Sequence, residues 1–379
     1  MNILFLTAAT GGGHVKAALA LMQQMEKQIP DCKTSLVDSL KYVNPMVDKL
    51  VTGTYLKTVK NVPGIYGKLY DFSEKDEFIT DLVKGFNNIL SHRLYKLFEQ
   101  YVPDAVVCTH TMPLQMLSRL KRKGLLHIPL IGIVTDFSNH YFWKLDRVDA
   151  FIVAHECIKD DMVKMGIPED RIHTYGIPVA EDFLVTSVDR SLILKKWGLE
   201  NKPTILLMGG SLGFGDIQAV FTSLLSVRRE IQIIAVTGSN KKLKSHLEKL
   251  AYNSDKNIQI LGYTDKISEL MDVSSLLITK PGGITISEAL VKKLPILIIS
   301  PIPGQEERNA QFLMNAGASI RLIQGDDMEL LLERILDRPY VMQKMSEAAG
   351  RLAKPNACED IASLVERLVQ KEPAACCIG

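Results

Sequence analysis

The residues of this chain best suited to chemistry are a histidine behind three glycines and a carboxylate behind two. Near the amino terminus, a predicted strand over 2–8 runs into Thr10-Gly11-Gly12-Gly13-His14 and then a predicted helix over 14–29. Glycines at such a turn let a ligand approach the backbone, and the helix N-terminus favours an anion or developing negative charge. The same dipole disfavours an imidazolium, so His14 is expected to be neutral near pH 7 and able to accept a proton. A histidine that only caps the helix or packs locally fits the spacing too. The glycines do not make a dinucleotide fingerprint, because Lys16 stands where its third glycine belongs, and there is no Gly-Lys-Ser/Thr of a P-loop. Asp38, ending the second predicted strand, mimics the acid that holds an NAD ribose, but the glycine pattern argues against that cofactor.

Asp136, in Thr135-Asp136-Phe137, follows the apolar run Ile131–Val134 and so sits at the carboxyl edge of a sheet, where open α/β folds bind ligands. It can orient His14 or an acceptor, or simply cap a helix. The loop Asn139-His140-Tyr141-Phe142-Trp143 lies on the same rim.

The second half repeats the theme. Met208-Gly209-Gly210-Ser211-Leu212-Gly213 ends a predicted strand with a turn whose N–H groups, with the Ser211 hydroxyl, suit phosphate oxygens. Lys280-Pro281-Gly282-Gly283-Ile284-Thr285-Ile286-Ser287-Glu288 is more specific. Here a strand end gives a glycine turn, a helix N-terminus with the Thr285 hydroxyl, and a carboxylate one turn inside. Such a turn can hold a diphosphate on its N–H groups while Glu288 accepts hydrogen bonds from ribose hydroxyls. Pro301-Ile302-Pro303-Gly304-Gln305-Glu306 follows, and its amide and acid side chains suit the hydroxyls of a sugar. No Asp-x-Asp occurs, so a metal-clamped diphosphate is not expected, and helix dipoles are left to stabilise the leaving group.

Short apolar runs alternating with helical patterns must position these residues, which is the signature of parallel βαβ units. Strands are predicted near 2–8, 33–38, 104–109, 129–134, 149–153 and 171–175, then a linker with a short helix over 180–202. A second series has strands near 204–208, 231–236, 257–261, 275–279, 295–299 and 318–322, and three helices close the chain over 326–337, 340–350 and 356–371. The fold class is therefore α/β, with two Rossmann-like doubly wound domains facing a cleft. The length of 379 residues agrees with two domains.

With 46% hydrophobic and 23% charged residues the composition is that of a soluble globular protein, and 45 basic against 43 acidic side chains leave only +2. Nucleic acid is not an expected partner. The longest apolar stretch, Leu294–Pro303, is too short to span a bilayer, and the start reads as a buried strand rather than a signal peptide. The six cysteines include no Cys-x-x-Cys, so neither a zinc site nor a disulfide scaffold is expected, and the compartment reads as cytosolic. Residues 39–100 break the alternation. Between positions 41 and 70, five lysines face one acid, a local +4, and Tyr42, Tyr55, Tyr66 and Tyr70 stand among them. That mixture suits an anionic membrane surface, each basic residue contributing about 1 kcal/mol, although solvated lysines on a helical insertion would look alike.

Taken in order, Gly11–His14, Thr135–Phe137, Gly209–Ser211 and the Lys280–Asn309 block resemble the monogalactosyldiacylglycerol synthase and processive diacylglycerol glucosyltransferase family, relatives of the murein glycosyltransferase. The resemblance covers essentially the whole chain. It implies a GT-B fold, with an acceptor and membrane-binding domain over 1–177, a UDP-sugar domain over 178–354, and a last helix within 355–379 crossing back. It also implies an inverting, metal-free transfer of glucose or galactose from UDP-glucose or UDP-galactose to diacylglycerol, at the inner face of the cell membrane, with no cofactor. Carried over by position, His14 is the base, with Gly13 beside it. Gly210, Ser211, Gly282, Gly283, Ile284 and Thr285 cradle the diphosphate, and Glu288 holds the ribose. Gln305 and Glu306 read the hexose, and Gly262-Tyr263 lies beside the uracil. Relatives commonly carry an arginine after the Gly-x-Pro-x of the crossing, where this chain has Ala180 after Gly176-Ile177-Pro178-Val179. That departure keeps two alternatives open: another lipid or polyprenyl acceptor, and an inactive UDP-sugar sensor.

Overall fold

The computed structural model describes residues 1–8, 12–43, 96–185, 189–213 and 215–371. Two compact units result: Met1–Ala180 with Lys354–Gly379, and Glu181–Ala353.

In the first unit, strands β1 (Asn2–Thr7), β2 (Lys33–Asp38), β3 (Ala105–Cys108), β4 (Leu130–Ile133), β5 (Ala150–Ile152) and β6 (Ile172–His173) form one sheet in the order β2-β1-β3-β4-β5-β6. Every pairing is parallel. Strands covered on both faces must be apolar along their length, and β3, β4 and β5 are buried at every residue. Helix α1 (Gly12–Gln28) buries Ala17, Ala18, Leu21 and Met25, a stripe at helical spacing. After α2 (Ser39–Val43) come α3 (Thr111–Arg122) and α4 (Glu156–Lys164). Of the predicted 39–100 segment only its two ends are described, so its lysine and tyrosine cluster lies almost entirely outside the described residues.

The second unit opens with a short turn and α5 (Arg190–Lys196), the region predicted as a linker. The turn is tied down: the Ser268 hydroxyl donates to the Asp182 carbonyl at 2.6 Å. Strands β7 (Thr204–Met208), β8 (Gln232–Val236), β9 (Ile258–Leu261), β10 (Leu276–Thr279), β11 (Ile296–Ile298) and β12 (Ser319–Arg321) lie in the order β12-β11-β10-β7-β8-β9, all parallel. The intervening helices are α6 (Ile217–Ser226), α7 (Lys241–Ala251), α8 (Ile267–Val273), α9 (Gly283–Val291) and α10 (Gln305–Asn315), followed by α11 (Met328–Leu336) and α12 (Pro339–Leu352). The predicted strand positions hold in both sheets, and the doubly wound expectation is borne out.

The final helix, α13 (Ala357–Lys371), belongs to the first unit. Its Ile361, Ala362, Leu364 and Val365 share one core with Ile3 and Phe5 of β1 and Leu21 and Met25 of α1. Among the described residues no helix is long and apolar enough to cross a membrane.

Candidate active site

Doubly wound sheets bind ligands at the carboxyl ends of their strands, where the strand order reverses. In the first unit that point lies between β1 and β3. His14, in the first turn of the helix after β1, and Thr109-His110, directly after β3, flank it. The His14 Nδ1 lies 2.8 Å from the Thr109 carbonyl oxygen and 2.9 Å from the Thr135 hydroxyl oxygen. A carbonyl can only accept, so Nδ1 carries the ring hydrogen and Nε2 keeps its lone pair. Burial pushes the His14 pKa below the usual histidine value, and Asp136 and the Thr109 carbonyl pull the other way without cancelling it. The half-buried ring is thus neutral near pH 7, with Nε2 as a proton acceptor.

His110 packs edge-on against His14, ring centroids 4.9 Å apart at 76°. Its own Nδ1 accepts the Met112 N–H at 3.1 Å and caps α3. Burial, with His14 as a smaller cause, holds its pKa down at about 3, so no positive charge stands beside the first imidazole. Asp136 is half-buried and acts on His14 through its charge, whereas the direct partners of Nδ1 are Thr109 and Thr135.

In the second unit the order reverses between β7 and β10, and the two glycine turns singled out in the sequence follow those strands. The turn after β7 is packed backbone to backbone against the one after β8. Ser239 N–H and Oγ donate to the Ser211 carbonyl at 2.9 and 3.1 Å, and Asn240 Nδ2 donates to the Gly213 carbonyl at 3.3 Å. Gly213 has φ 61 and Gly238 φ 58, and a Cβ on either would overlap the carbonyl oxygen of the opposing turn. Gly210 and Ser211 are thereby fixed, both half-buried. Gly262 and the 68% exposed Tyr263 follow β9, next along the same edge.

After β10 the chain turns through Lys280–Gly282 into α9. Among the described residues no side chain caps this helix, and a Cβ on Gly282 would meet none of them within 4 Å. The first-turn N–H groups of Gly283, Ile284 and Thr285 therefore remain for an anion. Glu288, 3% exposed, lies one turn inside. The loop after β11 is lashed to this turn. Lys280 Nζ meets Glu306 Oε1 at 2.8 Å, Glu306 Oε2 accepts the Ile302 N–H at 2.8 Å, and Asn309 Nδ2 donates to the Pro281 carbonyl at 3.0 Å. Glu306 has both oxygens engaged, so its role in the structure is to join the two loops. Gln305 opens α10 beside it.

The structure brings His14 and Asp136 together in one unit, and Gly210, Ser211, Gly262, Tyr263, Gly282–Thr285, Glu288, Gln305 and Glu306 along one sheet edge of the other. Among the described residues no three His, Cys, Asp or Glu side chains gather as a metal site.

A monogalactosyldiacylglycerol synthase model matches residues 14–179, and the glycosyltransferase family 28 C-terminal domain matches 204–365. Processive diacylglycerol beta-glucosyltransferase of Bacillus cytotoxicus is 30% identical over 367 residues, covering 96% of this chain and 93% of its own length. The chain belongs to this glycosyltransferase family. Among solved structures, MurG of Acinetobacter baumannii matches with a TM-score of 0.61 at 17% identity, over 97% of this chain and 99% of its own. MnaA of S. aureus, solved with UDP, matches at 0.65 and 15%, over 98% and 99%. At those identities the likeness shows the fold alone, that of GT-B glycosyltransferases.

Sequence reasoning about the family's site missed Thr109, Thr135 and His110 as companions of His14. Thr135 stood inside a motif already singled out, whereas a backbone carbonyl such as Thr109's leaves no signal in residue type.

Proposed function

We infer that the chain is an inverting glycosyltransferase that moves a hexosyl group from a UDP-sugar to diacylglycerol, giving a β-glycosyl-diacylglycerol. The observation that carries the reading is the kinship, over nearly the whole chain, with a diacylglycerol glucosyltransferase. The geometry supplies the chemistry. His14 Nε2 takes the proton of the lipid hydroxyl as its oxygen attacks C1 of the hexose, on the face opposite the UDP. The C1–O bond to the diphosphate breaks and UDP leaves with the electron pair, so an α-linked donor yields a β-glycoside. The growing charge on the diphosphate falls on the first-turn amides of α9 and on the Gly210-Ser211 turn, groups already oriented before the reaction starts. Glu288 accepts from the ribose hydroxyls, Tyr263 flanks the uracil, and Gln305 faces the hexose from a loop held by the Glu306–Lys280 pair. The step takes no metal, in keeping with a donor side built from amides. Glucose is the sugar favoured by the naming of the full-length relatives. The lysine-rich stretch between 41 and 70 attaches the protein peripherally to anionic lipid at the inner face of the membrane.

The test combines purified protein, diacylglycerol liposomes and a panel of UDP-sugars without divalent metal, with products read by mass spectrometry. A hexosyl-diacylglycerol from one donor is the expected result. UDP binding without product from any donor would instead favour another acceptor or a silent sensor.

A further inference from the structure

The base inferred above needs a device that selects one of the two neutral imidazole tautomers, because only an unprotonated Nε2 can take the lipid proton. The Thr109 carbonyl makes that choice, and the Thr135 hydroxyl braces the ring from the neighbouring strand end. The Thr109 N–H donates to the Leu6 carbonyl at 3.1 Å, fixing Thr109 to β1, while the Val134 N–H donates to the Ile152 carbonyl at 2.9 Å, fixing the residue before Thr135 to β5. The Thr135 side chain is 5% exposed. A carbonyl that can only accept and a hydroxyl that can accept or donate therefore converge on one ring nitrogen, and the His110 ring packs edge-on against the imidazole.

We propose that Thr135 is a positioning residue for His14: its hydroxyl holds the ring where the Thr109 carbonyl keeps the hydrogen on Nδ1, and so presents Nε2 as the proton acceptor. The inference rests on the assignment of His14 as the base. His110 cannot share the clamp, since its Nδ1 is committed to the Met112 N–H. Asp136 acts on His14 through its charge.

The test reads tautomer and turnover separately. In full-length protein labelled with ¹⁵N histidine, the His14 signals are identified by their loss in His14→Ala. The Nδ1–H form is expected to dominate near pH 7.5. Thr135→Val keeps the shape and removes the hydroxyl. It is expected to leave the Nδ1–H form dominant, because the Thr109 carbonyl sets the tautomer. The same variant should lower kcat about tenfold, the ratio set by one ordinary hydrogen bond, while KM for the UDP-sugar stays within about twofold, and Thr135→Ser should restore kcat. Thr135→Ala serves if the valine variant does not fold. A wild-type spectrum showing mainly Nε2–H would overturn the proposal, as would a Thr135→Val enzyme with unchanged kcat. Turnover surviving in His14→Ala would sink the base assignment instead, and the spectrum would still judge the clamp.

Discussion

The Lys280–Glu306 pair joins the two loops that frame the start of α9, and its worth can be worked from its geometry. The ammonium and carboxylate stand 2.8 Å apart with side-chain exposures of 12% and 17%. At an effective dielectric of about 20, two unit charges at that distance attract by about 6 kcal/mol. Desolvation of both groups offsets most of that, leaving a coupling of about 2 kcal/mol. Removing one partner costs more than the coupling, because the other is left buried alone. Glu306→Gln should cost about 3 kcal/mol, since Lys280 loses its counter-charge while its stem stays packed against Gly215. Lys280→Met should cost about 2 kcal/mol, because Glu306 keeps the Ile302 N–H. The double variant Lys280→Met/Glu306→Leu should cost about 3 kcal/mol, less than the sum of the singles by the coupling. The assay is urea unfolding followed by tryptophan fluorescence in a Trp143→Phe background, where Trp197 reports the second unit alone. Single variants that each cost under about 0.5 kcal/mol, with a double equal to their sum, would refute the reasoning.

Four further outcomes can be measured. Glu288→Ala should weaken UDP binding by about 1.5–3 kcal/mol, roughly 10- to 150-fold by calorimetry, because a hydrogen bond to a buried charged group is lost; unchanged affinity removes the ribose assignment. Asp136→Asn takes away a charge that favours protonated His14, so the already lowered His14 pKa falls further and the acid limb of the pH–rate profile moves to lower pH; a limb that moves upward contradicts the assignment. Among the described residues the buried Thr7 hydroxyl has no hydrogen-bond partner, so Thr7→Val should stabilise the first unit by about 1 kcal/mol, some 2–4 °C in Tm. Reversing Lys57, Lys60 and Lys68 to glutamate should reduce sedimentation with anionic liposomes and leave UDP affinity intact; unchanged sedimentation removes the membrane role of that segment.

The twelve strands were legible because parallel strands covered on both faces must be apolar throughout, and runs such as Thr204–Met208 have no other reading. The glycine turns were legible because positive φ and close backbone approach, as at Gly213 and Gly238, admit little else. Contacts whose chemistry lies in the backbone or far along the chain escaped. The Thr109 carbonyl on His14 is invisible in residue type, and nothing local to Glu306 announces its bond to Lys280, 26 residues earlier. The amphipathic pattern of the last helix gave its apolar face but not the core that face would join.

That helix sets an order of events during synthesis. A ribosome completes β1 to β6 long before it makes Ala357–Lys371, and until then the apolar flank of α1 lacks the side chains of Ile361, Leu364 and Val365. The second unit, continuous from Glu181 to Ala353, has its whole sequence translated first and is free to fold while the earlier-made half waits. The nascent chain thus keeps its histidine-bearing half unfinished until Ala357–Lys371 has been made, and chaperone contact or lipid encounter in that interval would meet an open hydrophobic face that the finished protein no longer has.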